Sequence, residues 1–244
     1  MVDWYPTLAA GSELPSDAVS ELLDRGFLVL GNVIAGDRMA RLSAAYDAAV
    51  LSASEPDLRV GSTTTRVSDC VNRGEEFDPL YVHAPLLDAC CRVIGGPFKL
   101  SSLVARTLRP HTPAQELHVD VPRESKDWPL VGFILMVDEF RPDNGATRFV
   151  PGSHRRLGGP NGTTTDLRAQ HAGQVLATGG AGSLLIFDGS TWHGHTANTS
   201  DRPRRSLHGA FIPRDGCSAT NFGARMRLDT RARLSPLARY LLSL

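Results

Sequence analysis

Two histidines and one carboxylate on the same face of a metal ion are enough to hold iron and leave the opposite face open for chemistry. The 244-residue chain carries residues of these types in two separated stretches. QELHVDVPRE (115–124) places His118 and Asp120 two apart, and TWHGHTANTSDRPRRSLHGAF (191–211) holds His193, His195 and His208. Residues i and i+2 of a strand point to one face, so His118 and Asp120 are expected to project side by side. A third ligand must then come from a distant strand. Alone, an H-x-D pair is as well explained by an ordinary polar strand. The second stretch adds a basic run, Arg202, Arg204 and Arg205. Arg204, Ser206 and His208 alternate and are expected to share a side. An arginine turned into a barrel is costly unless an anion meets it, and a guanidinium matches a carboxylate through two parallel hydrogen bonds. The combination suits an iron enzyme whose small dicarboxylate co-substrate chelates the metal.

The elements that must position these residues change character along the chain. Up to about residue 96 the pattern is mostly helical. SDAVSELLDRG (16–26) runs from a serine to a stopping glycine, and GDRMARLSAAYDAAVLSAS (36–54) spaces Met39, Leu42, Tyr46 and Val50 as a helix does after an Asp37 cap. HAPLLDACCRVIGG (83–96) predicts another helix, with a strand at 27–34 between the first two. The polar stretch 55–78 reads as loop, its part 61–74 as a lid. From 97 onward, strand-like runs at 98–108, 130–140, 146–152, 182–189 and 205–213 are bounded by Gly, Pro, Asn and Asp. Asp143-Asn144-Gly145 reads as a hairpin turn, and RARLSPLARYLLSL as a closing helix at about 230–243. This order predicts a mainly β fold with flanking helices: one domain over 1–244 whose jelly-roll core spans about 97–213.

Composition excludes some functions. Lys+Arg and Asp+Glu both number 26, so the formal charge is zero, which argues against coating nucleic acid or an anionic membrane. The four cysteines form no CxxC pair, so neither a zinc knuckle nor a disulfide framework is indicated. The first residues lack a signal-peptide pattern and no window is long enough for a membrane span, so a cytoplasmic protein is expected. The GGAG run at 179–182 precedes a strand and reads as a turn, not a nucleotide loop. Oligomeric state is unspecified by the residues.

The ordered set of His-x-Asp, NGATRFVPGSHR (144–155) and HGHTANTSDRPRR (193–205) resembles the phytanoyl-CoA dioxygenase family of Fe(II)- and 2-oxoglutarate-dependent oxygenases. The resemblance covers about residues 80–213 and implies a double-stranded β-helix, a cupin-like jelly roll. In the family the distal iron histidine stands five residues before an asparagine and eleven before the co-substrate arginine. Counting from His193 gives Asn198 and Arg204, and His195 fits neither count. The resemblance therefore implies that His118, Asp120 and His193 hold Fe(II) and that Arg204 grips the distal carboxylate of 2-oxoglutarate. The family often has a small hydroxyl residue two after the iron histidine; His195 stands there and is expected to contact the co-substrate, as is Ser206. O2 is the other co-substrate, and a small molecule is expected to be hydroxylated with release of succinate and CO2. With Asp120 present no position is vacated for chloride, which favours hydroxylation over halogenation; desaturation, ring closure and endoperoxide formation use the same triad. The rivals are a Zn or Mn site without 2-oxoglutarate and a non-catalytic small-ligand jelly roll. Arg66, Arg106, Arg123, Trp128 and Trp192 are candidates to line the substrate pocket, each also readable as structural.

Overall fold

The computed structural model describes residues 2–161 and 166–244. Among the described residues there are ten strands: β1 Phe27–Leu30, β2 Leu58–Val60, β3 Thr64–Val67, β4 Phe98–Leu108, β5 Val131–Met136, β6 Thr147–Phe149, β7 Val175–Ala177, β8 Leu184–Asp188, β9 His193–His195 and β10 Arg204–Pro213. Seven form one antiparallel sheet in the order β1-β8-β5-β10-β4-β3-β2, and three form a second in the order β7-β6-β9. Neighbours far apart in sequence give the crossing pattern of a jelly roll, flanked by helices at Ser16–Arg25, Gly36–Ser52 and Ala84–Ile94.

The two faces of the large sheet explain its composition. All six residues of β5 are buried, so this strand reads as a continuous apolar run. Phe133 and Leu135 join the helix-side core with Leu86, Leu87 and Tyr46, whereas Ile134 and Met136 turn to the other face with Phe149, Leu185 and Phe187. The site lies between the two sheets on that second face.

Several boundaries depart from the sequence expectation. The first 96 residues are not purely helical: β1 pairs with β8, and β3 pairs with β4, so this part completes the large sheet. The stretch 61–74 is no lid, because Thr64–Val67 is a strand and Cys70, Val71 and Asn72 are buried. Asp143-Asn144-Gly145 is not a hairpin either, since β5 and β6 belong to different sheets. Asn144 accepts from the Arg141 N–H at 2.8 Å and donates to the Glu139 carbonyl at 2.8 Å, and Gly145 supplies a φ of +84°. The turn thus passes the chain from one sheet to the other. The closing helix is two short ones, Leu228–Arg233 and Pro236–Leu241. Pro236 lacks an N–H and disfavours helical geometry at Ser235, whose side chain instead caps the second helix by accepting from Ala238. Among the described residues no helix is long and apolar enough to cross a membrane.

Candidate metal centre and its cavity

His118 lies on an extended segment, not on a regular strand, and the bridge His118↔His193 lays that segment beside β9. The His118 N–H donates to the His193 carbonyl and the His193 N–H to the His118 carbonyl, both at 2.9 Å. Close approach here depends on Gly194. A Cβ at that position would meet the Glu116 and Gln115 carbonyl oxygens at 3.0 and 3.1 Å, tighter than nine in ten real Cβ contacts, so the backbone of the His118 segment would have to give way. The glycine between two histidines is therefore a packing requirement of the site.

Asp120 follows at a bend, with its N–H bonded to the Gly189 carbonyl at 2.8 Å. Its Oδ1 lies 4.0 Å from His118 Nε2 and 3.8 Å from His193 Nε2. The ligand atoms of His118, Asp120 and His193 all fall within 4.8 Å of one another. Each imidazole is oriented from behind: Nδ1–H of His118 donates to the Glu116 carbonyl at 3.0 Å, and that of His193 to the Thr191 carbonyl at 2.8 Å. This arrangement directs both Nε2 lone pairs toward the carboxylate, the support a metal-ligating histidine requires. Burial, with His193 adding to it, pushes His118 below the usual imidazole range, so the neutral form that ligates a metal is favoured. Phe149 and Phe187 wall the His193 ring at centroid distances of 5.6 and 4.8 Å.

Arg204 faces the same small cavity of about 80 Å³, together with Thr147, Gln115 and His195. Its side chain lies over the Phe140 ring at 3.9 Å and is 2% exposed, yet Nε and Nη1 have no hydrogen-bond partner. Burial, with Arg106 adding to it, pushes the guanidinium down to about 9. A buried cation with unmet donors is costly unless an anion pairs with it. The vacant donors fit a carboxylate, as the donor set of His118, Asp120 and His193 fits Fe(II). The neighbouring Arg205 points away and bonds Asp138 and Asp47, each at 2.8 Å.

The other candidates divide. Arg66 and Arg106 line cavities that open from His118. His195 lines the cavity, with Nδ1–H donated to the Thr196 carbonyl at 2.8 Å; burial holds it down to about 4 and thus neutral. His208 also lines it, and burial holds it well below the usual range. Ser206 is fully buried, its hydroxyl 3.1 Å from the Arg106 carbonyl and 3.0 Å from His208 Nε2, so it braces His208 and does not reach the cavity lining. Arg123 and Trp128 stack on each other at 5.3 Å and line a separate cleft with Arg92 and Arg155, because the chain turns away after Asp120. Trp192 is 2% exposed in a core patch with Leu117 and Val150. As the immediate neighbour of His193 on extended backbone it faces the opposite side.

Sequence reading missed Gln115, Thr147 and Arg148. Thr147 and Gln115 belong to the cavity wall. Arg148 is 1% exposed and donates to the carbonyls of Gln115, Leu167 and Ala169 at 2.6–2.8 Å and to Gln174 Oε1 at 3.2 Å. It ties the segment leading to His118, and the loop beyond it, onto β6, which pairs with β9 and so with His193. The available signal was strand alternation: in β6, Thr147 and Arg148 must face opposite sides.

Comparison with known proteins agrees with this geometry. The phytanoyl-CoA dioxygenase (PhyH) family pattern matches residues 22–206. Dioxygenase trt7 of Aspergillus terreus is 29% identical over 97% of this chain and 85% of its own length. The Fe(II)/2-oxoglutarate-dependent dioxygenase nvfF of Aspergillus novofumigatus is 32% identical over 54% of this chain and 45% of its own. The fold is shared with HygX from Streptomyces hygroscopicus, solved with nickel, 2-oxoglutarate and hygromycin B bound, at a TM-score of 0.70, 16% identity, and 84% and 90% coverage of the two chains. With the family pattern spanning most of the jelly roll and the triad and Arg204 inside that span, the chain belongs to the phytanoyl-CoA dioxygenase family and is an Fe(II)- and 2-oxoglutarate-dependent dioxygenase.

Proposed function

We propose that the chain, as a single domain, hydroxylates a small-molecule metabolite, with His118, Asp120 and His193 holding Fe(II) and Arg204 binding the distal carboxylate of 2-oxoglutarate. The observation that carries this reading is the buried, unpartnered Arg204 guanidinium opening onto the same cavity as the triad. Iron, with 2-oxoglutarate and O2, supplies the oxidising power, and succinate and CO2 are the co-products. The residues of the chain supply placement and exclusion of water. Glu116 and Thr191 carbonyls orient the two imidazoles. Phe149 and Phe187 keep the His193 side dry. Thr147 and His195 border the Arg204 end, where the Thr147 hydroxyl can donate to a carboxylate oxygen. The wider cavity, about 470 Å³, falls in the size range of small-molecule sites. HygX, which shares the fold, was solved with nickel, 2-oxoglutarate and hygromycin B bound, in keeping with a natural-product substrate. A cytoplasmic location accords with four free cysteines, two of them buried.

The test is succinate release from 2-oxoglutarate, followed with Fe(II) present and with Fe(II) removed by chelator. Release that requires both iron and 2-oxoglutarate is expected, with a basal rate even before a substrate is found. Tight small-ligand binding without any succinate would support a non-catalytic jelly roll instead.

A further inference from the structure

Arg66 on β3 and Arg106 on β4 are direct cross-strand partners. Like charges directly opposite one another on a sheet are destabilising, and here neither guanidinium has an ion pair or hydrogen-bond partner among the described residues. Arg106 goes further: its Nε is buried and unpaired, and burial, with Arg66 adding to it, pushes its guanidinium down to about 10. The two side chains line both of the larger cavities that meet at His118, of about 650 and 470 Å³.

The charges around these cavities do not cancel. Glu116 and Arg168, which also border the larger one, are paired with each other at 3.1 Å. Of the described residues that remain, Asp120 is the one acid facing three arginines: Arg66, Arg106 and Arg204. On the reading above, Fe(II) adds two positive charges and 2-oxoglutarate two negative ones. One carboxylate of the co-substrate goes to the metal and the other to Arg204. A surplus of about two positive charges is left, and it sits at Arg66 and Arg106. One side of the 470 Å³ cavity is apolar, walled by Val104, Leu130, Phe187 and Ala210, while Ser101, Ser102 and His208 add neutral polar groups.

We propose that Arg66 and Arg106 form a second anion receptor, dedicated to the substrate, so that the substrate class is a small molecule with an apolar body and a carboxylate or phosphate group. The apolar body lies along Val104, Leu130 and Phe187, and the oxyanion is held between the two guanidinia beside the metal. The inference rests on the iron and 2-oxoglutarate reading of the same site. It also accounts for two opposed cations at a sheet position where a neutral pair would be more stable: the repulsion is relieved when the substrate binds.

The test uses protein loaded with Ni(II), which does not turn over, and saturated with 2-oxoglutarate. Isothermal titration then follows 3-phenylpropanoate, phenyl phosphate and the neutral 3-phenylpropanamide. At least one oxyanion is expected to bind at least tenfold more tightly than the amide, with affinity falling as salt is added. Arg106→Gln should weaken that binding by at least tenfold, and Arg66→Gln, at an exposed position, should act in the same direction. In both variants the 2-oxoglutarate constant should change less than threefold, and the apo melting temperature should be unchanged or raised. A 2-oxoglutarate constant that rises in these variants would mean the pair serves the co-substrate and would overturn the proposal. So would equal binding of acid and amide, no binding of any of the three probes, or a lowered melting temperature with unchanged oxyanion affinity. Failure of 2-oxoglutarate itself to bind the metal-loaded wild type would instead refute the underlying reading of the site.

Discussion

Arg204→Ala weakens 2-oxoglutarate binding roughly 30- to several-thousand-fold, in a titration of the metal-loaded protein, and leaves metal stoichiometry unchanged. The size follows from the environment. The guanidinium is 2% exposed and two of its donor nitrogens have no partner within the chain. Truncating one member of a buried charge-assisted pair typically costs about 2–5 kcal/mol, because the other charge is left stranded. Arg204→Lys recovers only part of the loss, since an ammonium cannot make the planar two-point contact. Arg205→Ala is the control. Its side chain is engaged with Asp138 and Asp47 on the far face, so it leaves the 2-oxoglutarate constant alone and lowers stability by at most about 1 kcal/mol.

Asp120→Gly abolishes the coupled reaction while part of the metal and 2-oxoglutarate binding survives. Two imidazoles, a chelating co-substrate and Arg204 still hold the complex, but the anionic ligand is gone and a coordination position is open to solvent. Loss of a partner behind a ligand commonly costs about 10–100-fold in affinity or activity, and loss of the ligand itself should exceed that in substrate-dependent succinate release. Unchanged turnover would mean that this carboxylate is not a ligand. The prediction leans on position more than burial: Asp120 is exposed, and what marks it is an oxygen 3.8 and 4.0 Å from two inward-facing Nε2 atoms.

The candidate triad was legible in two ways: the His-x-Asp spacing marked His118 and Asp120, and the family resemblance picked out His193 by its distance to Asn198 and Arg204. His118 and Asp120 are two apart on extended backbone, and the bridge to His193 brings in the third. Arg204 and His208 share a face as strand alternation requires, and both reach the cavity. The same alternation, applied to Trp192, would have turned it away from the site, since it adjoins His193. Arg123 and Trp128 were misplaced because closeness in sequence to Asp120 was taken as closeness in space, across a bend that redirects the chain. Strand β3 was hidden in a polar run: its residues Thr64, Thr65 and Arg66 lack the apolar alternation that marks a half-buried strand. Three-residue strands such as β7 and β9 are too short to show a period at all. Arg148 could not be found from sequence, because its four acceptors come from backbone and side chain 19 to 33 residues away.

Anaerobic equilibration with Fe(II), followed by removal of free metal and measurement of iron per chain, tests the assignment of the centre most directly. The account predicts one iron in the wild type, little or none in His118→Ala, Asp120→Ala and His193→Ala, and full retention in His195→Ala, whose Nδ1 is bound to the Thr196 carbonyl and whose spacing to Arg204 is not the family's. Full iron in His193→Ala together with its loss in His195→Ala would contradict it and move the centre two residues along β9.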